Sequence, residues 1–197
     1  MPMKVKKFKV ARRLGAPIFD QCASPRFDAS KRRTKSGRPA RVSDYGKQLI
    51  EKQKVRFTYG VSEKQFRNYV DKAIAKRSNI SPAESLFKML ESRIDNVVYR
   101  AKLAPTRRAA RQLVSHGHFT VNGTRITVPS YALQPKDVAA VREGSKNSVY
   151  FKKEFTDTGA AQWLTVKPAE LTITVSGDPK NPDPFLDFQS VVEFYSR

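Results

Sequence analysis

Cysteine, histidine and tryptophan are scarce in this chain: its 197 residues include one Cys, two His and one Trp. The single thiol, Cys22, excludes an internal disulfide and fits a reducing compartment. Without clustered ligand spacing, no zinc or iron site is expected, and no other cofactor. Glycine is sparse too, and each of the nine sits at an expected turn or helix end. A Gly-rich phosphate loop, a nucleophile elbow and a dinucleotide fingerprint are all missing, which removes the common enzyme signatures. No run of about 18 apolar residues offers a membrane span. No apolar core follows the basic N-terminus as a secretory signal requires, and the first nineteen residues, acid-free but Lys-rich and without Ser, do not match a transit peptide.

Acids are the other shortage. Eighteen Asp and Glu stand against 38 Lys and Arg, giving a net charge of +20. Such a surplus repels itself in a compact monomer and calls for a polyanion, with nucleic acid the obvious candidate. Its distribution is uneven: residues 1–60 carry +13, residues 61–142 carry +9, and residues 143–197 carry −2. The last quarter therefore lies outside the electrostatic footprint. Hydrophobic residues make up 39%, including twelve Phe and seven Tyr, so much of the chain can bury a core.

Residues 1–42 mix basic clusters (Lys6-Lys7, Arg12-Arg13, Lys31-Arg32-Arg33) with four Pro and two Gly and show no sustained period. They read as a basic arm that orders on its partner. From Ser43 the pattern is helical, with Ser43-Asp44 as a cap ahead of a helix that Gly60 stops. Ser62 and Gln65 have the spacing of a capping box opening a second helix, whose apolar arc holds Phe66, Tyr69, Val70, Ala73 and Ile74. Ser81-Pro82-Ala83-Glu84 opens a third, expected to run unbroken to about Arg100. On that helix Arg93, Asn96 and Arg100 fall on one flank of the apolar face and Glu91 and Asp95 on the other.

Thr106 can cap a short fourth helix, with Ala109, Ala110, Leu113 and Val114 on one arc and Arg107, Arg108, Arg111, Gln112 and Ser115 on the opposite one. Gly117 ends it. Phe119-Thr120-Val121, the turn pair Asn122-Gly123, and Arg125-Ile126-Thr127-Val128 then form a hairpin signal. Residues 137–141 can add a strand, and short β-like runs follow at 149–151, 163–166 and 171–175. Residues 177–184, with three Pro, read as a loop, and the apolar 191–195 is suited to docking onto an earlier core.

The functional signal is the arginine set. Arg93, Arg100, Arg107, Arg108 and Arg111 supply planar, permanently charged forks that can grip successive phosphates. No acid occurs between Asp95 and Asp137 to pair with them, which favours RNA contact over a merely solvated basic face. Such contacts position a protein without reading base sequence. His116 and His118, flanking Gly117, suit donation to phosphate or stacking on a base, with turn packing as the plain alternative.

The motifs of residues 43–141 resemble those of the bacterial-type small-subunit ribosomal protein S-four family. They include Ser-Asp-Tyr-Gly-Lys-Gln-Leu-Ile-Glu-Lys-Gln-Lys-Val-Arg, Leu-Glu-Ser-Arg-Ile-Asp-Asn-Val-Val-Tyr-Arg and Ala-Arg-Gln-Leu-Val-Ser-His-Gly-His-Phe-Thr-Val-Asn-Gly. Trp163-Leu164 and the ending Val-Val-Glu-Phe-Tyr-Ser-Arg look like family features too. The resemblance implies an α+β fold with four parts: a basic arm (1–42), an all-helical lobe (43–90), a mixed α/β lobe carrying the family's helix-helix-hairpin RNA-binding module (91–155), and a β-rich C-terminal segment packing back on the lobes (156–197). Four N-terminal cysteines that bind zinc or an iron-sulfur cluster in many members are reduced here to Cys22, so no metal is expected in the arm.

It further implies a non-enzymatic, cytoplasmic component of the small ribosomal subunit. Such a protein binds small-subunit ribosomal RNA, nucleates early assembly, and supports decoding accuracy near the messenger entry path. Its neighbours would be S-three and S-five type proteins and, at the entry channel, messenger RNA, with no membrane and no homo-oligomer; some members repress their own operon. Alternatives that reuse the module, such as an RNA-modifying enzyme, a tRNA synthetase or a free recycling factor, would need a catalytic domain or lack the 43–69 motifs. The expected RNA-contact set is Arg12, Arg13, Arg32, Arg33, Arg38, Arg41, Lys47, Lys52, Lys54, Arg56, Tyr59, Gln65 and Arg67 before the module. Within it the set is Arg93, Asn96, Arg100, Thr106, Arg107, Arg108, Arg111, Gln112, Ser115, His116, His118 and Asn122.

Overall fold

Three serines and two glycines fix the first boundaries. Ser43 Oγ accepts from the Gly46 N–H at the start of α2 (Asp44–Tyr59), and Gly60, in the left-handed region at φ 61°, closes it. Ser62 Oγ accepts from the Gln65 N–H and opens α3 (Glu63–Ala75), while the hydroxyl itself donates to the Gln65 side-chain oxygen. Ser81 Oγ accepts from Glu84 N–H ahead of α4 (Pro82–Glu91). Gly15, at φ 69°, closes α1 (Lys7–Leu14). The computed structural model describes residues 6–24, 27–28, 43–76, 79–151, 160–180, 183 and 185–196.

The chain divides into two units, residues 1–86 with 182–197, and residues 87–181. In the first, part of the arm expected to order on its partner already forms regular structure, α1 and a single 3-10 turn over Asp20–Ala23. Ala11, Leu14, Ala16, Ile18 and Cys22 are buried there, with Ile50, Phe57 and Phe185 packed against them. This apolar cluster is what orders α1, since an eight-residue basic helix is marginal without a packing partner. The last helix, α8 (Phe188–Tyr195), is capped by Asp187 and lies along α2, with the Tyr45 and Phe194 rings 5.4 Å apart.

The second unit is a five-stranded antiparallel sheet with helices against one face. Strands β1 (Phe119–Val121), β2 (Thr124–Ile126), β3 (Val138–Val141), β4 (Leu164–Lys167) and β5 (Thr172–Val175) lie in the order β2-β1-β3-β5-β4. The β1–β2 turn places both Asn122 (φ 48°) and Gly123 (φ 83°) at positive φ, as a tight two-residue hairpin requires. Phe119, Val121, Ala139, Val141, Ile173 and Val175 point into one core with Ile94, Val97, Val98, Leu113 and Val114 from the helices. The fold is therefore mixed α+β, with eight helices among the described residues.

Two expectations are corrected here. Residues 149–151 form a turn, not a strand, leading out of the short helix α7 (Glu143–Lys146). The third helix does not run through to Arg100. It stops at Glu91, Arg93 adopts extended angles (φ −62°, ψ 133°), and α5 (Ile94–Arg100) begins anew. The cause lies in the later loop: Ile94 N–H donates to Tyr131 O and Leu133 N–H to Ser92 O, both at 2.8 Å, so the chain at 92–94 pairs as a short bridge with residues 131–133.

Candidate nucleic-acid interface

The break between α4 and α5 rearranges the charges expected on one straight helix. It swings Glu91 toward the flank that holds Asn96 and Arg100. Glu91 is fully buried and takes a two-pronged ion pair from Arg100, Nε to Oε2 at 3.0 Å and Nη2 to Oε1 at 2.9 Å. Asn96 Nδ2 donates to the Glu91 carbonyl (3.2 Å) and to its Oε2 (2.9 Å), satisfying the end of α4. Arg93, also buried, forks onto Asp95 at 3.2 and 3.0 Å.

The next helix, α6 (Arg107–Ser115), closes over this network. Thr106 Oγ1 accepts from the Ala109 N–H and starts it. Arg111 donates to Asp95 Oδ2 at 2.8 Å, and Arg107 Nε to Asn96 Oδ1 at 3.0 Å, with the Arg107 guanidinium 4.5 Å above the Tyr99 ring. The expectation that the arginines lack acidic partners is thus corrected for three of them: Asp95 pairs with Arg93 and Arg111, and Glu91 with Arg100. Three guanidiniums pair with two carboxylates and Arg107 is held by neutral Asn96, leaving a surplus of positive charge at the α6 surface, where Arg107 and Arg111 are half-buried and Arg108 and Gln112 exposed.

Beyond α6, Gly117 at φ 72° turns the chain into β1, and the Arg125 guanidinium lies directly over it, donating to the His116 carbonyl at 3.2 Å. His116 is exposed; His118 is half-buried, its Nδ1 2.9 Å from the buried Ser145 hydroxyl. Burial, then the charges of His116, Arg142 and Arg125, hold the His118 imidazole below its usual pKa of 6.5. At neutral pH it is an uncharged aromatic ring.

Most of the other residues expected at the interface belong to the first unit or are engaged within the protein. Within the module, Ser115 Oγ donates to the Arg111 carbonyl, and Asn122 bridges Asp137 and the Val138 N–H, tying the hairpin tip to β3. In the first unit, Tyr59 is buried, and Lys52 is buried against Glu63 at 2.7 Å. Lys47 pairs with Asp44, Lys54 with Glu51, and exposed Arg67 lies 3.9 Å from Asp71. Arg56 donates to Gln53 Oε1, and Gln65 serves the α3 cap. Arg13 is exposed on α1, and the buried Arg12 Nε has no hydrogen-bond partner among the described residues. Arg32, Arg33, Arg38 and Arg41 lie outside the described residues. The structure brings Arg107, Arg108, Arg111, Gln112, Ser115, His116 and His118 to one helix and the turn that follows it. It adds the exposed Arg125, Arg142 and Tyr150, which sequence reasoning missed. Only strand register reveals Arg125, which pairs with Thr120 and so shares the outward face.

Among the described residues, no group of three or more His, Cys, Asp or Glu could hold a metal ion. No helix there is long and apolar enough to cross a membrane.

The family model of the S4 domain matches residues 92–138, which hold α5, α6 and the β1–β2 hairpin; the model of the ribosomal protein S4/S9 N-terminal domain matches residues 3–91, which include α4. Along most of its length the chain is similar to proteins named small ribosomal subunit protein uS4. It is 44% identical over 200 residues to that of Roseiflexus sp. (strain RS-1), covering 96% of each chain. With that of Mycobacterium avium (strain 104) it shares 51% over 160 residues, 79% of each. With that of Corynebacterium kroppenstedtii it shares 45% over 188 residues, 93% of this chain and 90% of the relative. The chain belongs to the uS4 family of small ribosomal subunit proteins.

Proposed function

We propose that this protein is a structural, non-catalytic component of the small ribosomal subunit in the cytoplasm. It binds small-subunit ribosomal RNA directly, acts early in assembly, and supports decoding accuracy near the messenger entry path beside S-three and S-five type proteins. The observation that carries this reading is the cationic edge of α6 and the turn after it. Buried Asp95 and Asn96 hold Arg111 and Arg107 from below, and Arg108, Gln112, His116 and Arg125 line the surface beside them. Guanidiniums already oriented by fixed partners lose little side-chain freedom on meeting a phosphate. The family membership and the net charge of +20 support the same partner.

The test is co-sedimentation of the protein, expressed in its own cells, with the small ribosomal subunit in a high-salt sucrose gradient, combined with crosslinking to the subunit's RNA. Stoichiometric retention with crosslinks in the α6 segment is the expected result. Loss from the subunit, with crosslinks chiefly to transfer RNA or other transcripts, would overturn the structural role.

A further inference from the structure

Two large side chains stand open to solvent beside the cationic edge: Val149 is 79% and Tyr150 63% exposed. Their backbone is nonetheless anchored. Phe151, next in the chain, is buried in the sheet core with its ring 5.8 Å from Phe119, and its N–H donates to Ser148 O at 2.9 Å. The exposed phenol is thus held by a fixed turn, and presenting it to a partner costs little conformational entropy. The His118 ring neighbours both others, its centroid 6.1 Å from that of His116 and 6.4 Å from that of Tyr150. Ser145 holds His118 through its Nδ1. Exposed Arg125 donates to the His116 carbonyl at 3.2 Å and the backbone N–H of exposed Arg142 to the His118 carbonyl at 2.9 Å, so both stand beside these rings, and the nearby acid Glu143 is engaged by Lys146 at 2.7 Å.

We propose that Tyr150, with His118 and His116 behind it, is a stacking platform for an unpaired nucleotide of the bound RNA, and that Arg125 and Arg142 receive its phosphates. This rests on the RNA-binding reading above and extends it to a defined base contact. An open aromatic ring on a cationic surface has the chemistry that suits a nucleotide: a flat π-face for the base and positive charge for its negative backbone. A base inside a duplex has both faces covered, so the nucleotide must be unpaired.

The experiment measures binding of the full-length protein to complete small-subunit ribosomal RNA at several salt concentrations, for the unaltered chain and for Tyr150→Ala, Tyr150→Leu and Tyr150→Phe. Stacking predicts that Ala and Leu each weaken binding roughly five- to a hundred-fold. Phe should bind like the unaltered chain, and the salt slope should not change because every phosphate keeps its cation. Ultraviolet crosslinks from Tyr150 should map to a nucleotide that is unpaired in the RNA. Undiminished binding by the Ala variant overturns the platform. So does recovery by Leu, which would mark an apolar contact, or failure of Phe, which would mark a hydroxyl contact. If RNA binding persists while a neighbouring protein is missing from subunits carrying the Ala variant, the patch is a protein-binding surface and the proposal fails. Absence of RNA binding by the unaltered chain would instead overturn the function on which the platform rests.

Discussion

Glu91 and Arg100 meet in a two-pronged ion pair, although nine residues and a helix break separate them. Glu91 is fully buried and the Arg100 side chain nearly so, at 12% exposure. Removing one member of such a pair leaves an uncompensated charge in the core. Glu91→Ala is therefore expected to destabilise the second unit by about 3–5 kcal/mol, read as a loss of unfolding free energy in urea. Glu91→Gln keeps the shape and one acceptor and should lose less. An Ala variant as stable as the parent would mean the pair does not hold the break together.

Arg108 and Arg111 separate binding from folding. Arg108 is exposed on α6, whereas Arg111 is tied to Asp95. Arg108→Ala should leave the melting temperature unchanged and flatten the salt dependence of RNA binding by about 0.9 log units for each phosphate that goes without its cation. Replacing Arg107 and Arg111 together should flatten the slope further and also lower stability, because Asn96 and Asp95 would be stripped of their surface partners. An unchanged slope in both variants would remove α6 from the interface.

The contrast between those residues marks how far the sequence could be read. Caps and turns carry their signal locally: Ser43, Ser62, Ser81, Thr106 and Asn122-Gly123 act on neighbours within a few residues, and each sits where its pattern indicated. The break at Arg93 has no such local mark, because its cause is the backbone of residues 131–133, almost forty positions on. The wheel drawn on an unbroken helix therefore put Glu91 and Asp95 on the wrong side of the arginines and made Arg93 and Arg100 surface donors. In α1 the apolar face is too short to stand out; Ala11 and Leu14 become a core by meeting Ile50, Phe57 and Phe185. Lys52 resembled a phosphate ligand by type, but α3 and α8 cover it with Glu63 and the Phe194 and Tyr195 rings.

Glu63 gives the first unit a pH dependence. Burial alone would push its pKa up, but hydrogen bonds from Lys52 and Tyr195 and the charges of Lys52 and Arg56 outweigh it and hold it below 4.5. A carboxylate lowered on folding contributes stability that is fully present above its unfolded value and is lost as pH falls through the folded one. The melting temperature should thus drop more steeply below about pH 4.5 in the parent than in Glu63→Gln, with a constant gap between them above it. Tyr195→Phe, which keeps the ring beside Phe194 and loses only the bond to Glu63, should fall between the two. Parallel curves for parent and Gln variant would exclude Glu63 as the titrating group.

Gly117 joins the fold to the interface. At φ 72° it occupies the left-handed region, and a Cβ there would collide with the Arg125 guanidinium. The backbone component of Gly117→Ala should cost about 1–2 kcal/mol. The steric component is cheap in energy, because the end of a flexible side chain can swing away, but it takes Arg125 off the His116 carbonyl. The variant is therefore expected to melt a few degrees lower and to bind RNA with a shallower salt slope than stability alone predicts. Pairing it with Arg125→Ala separates the two effects. If Arg125 acts on phosphate, the double variant should bind no more weakly than Arg125→Ala while melting at the temperature of Gly117→Ala; additive losses in binding would mean that the turn itself, and not the arginine above it, meets the RNA.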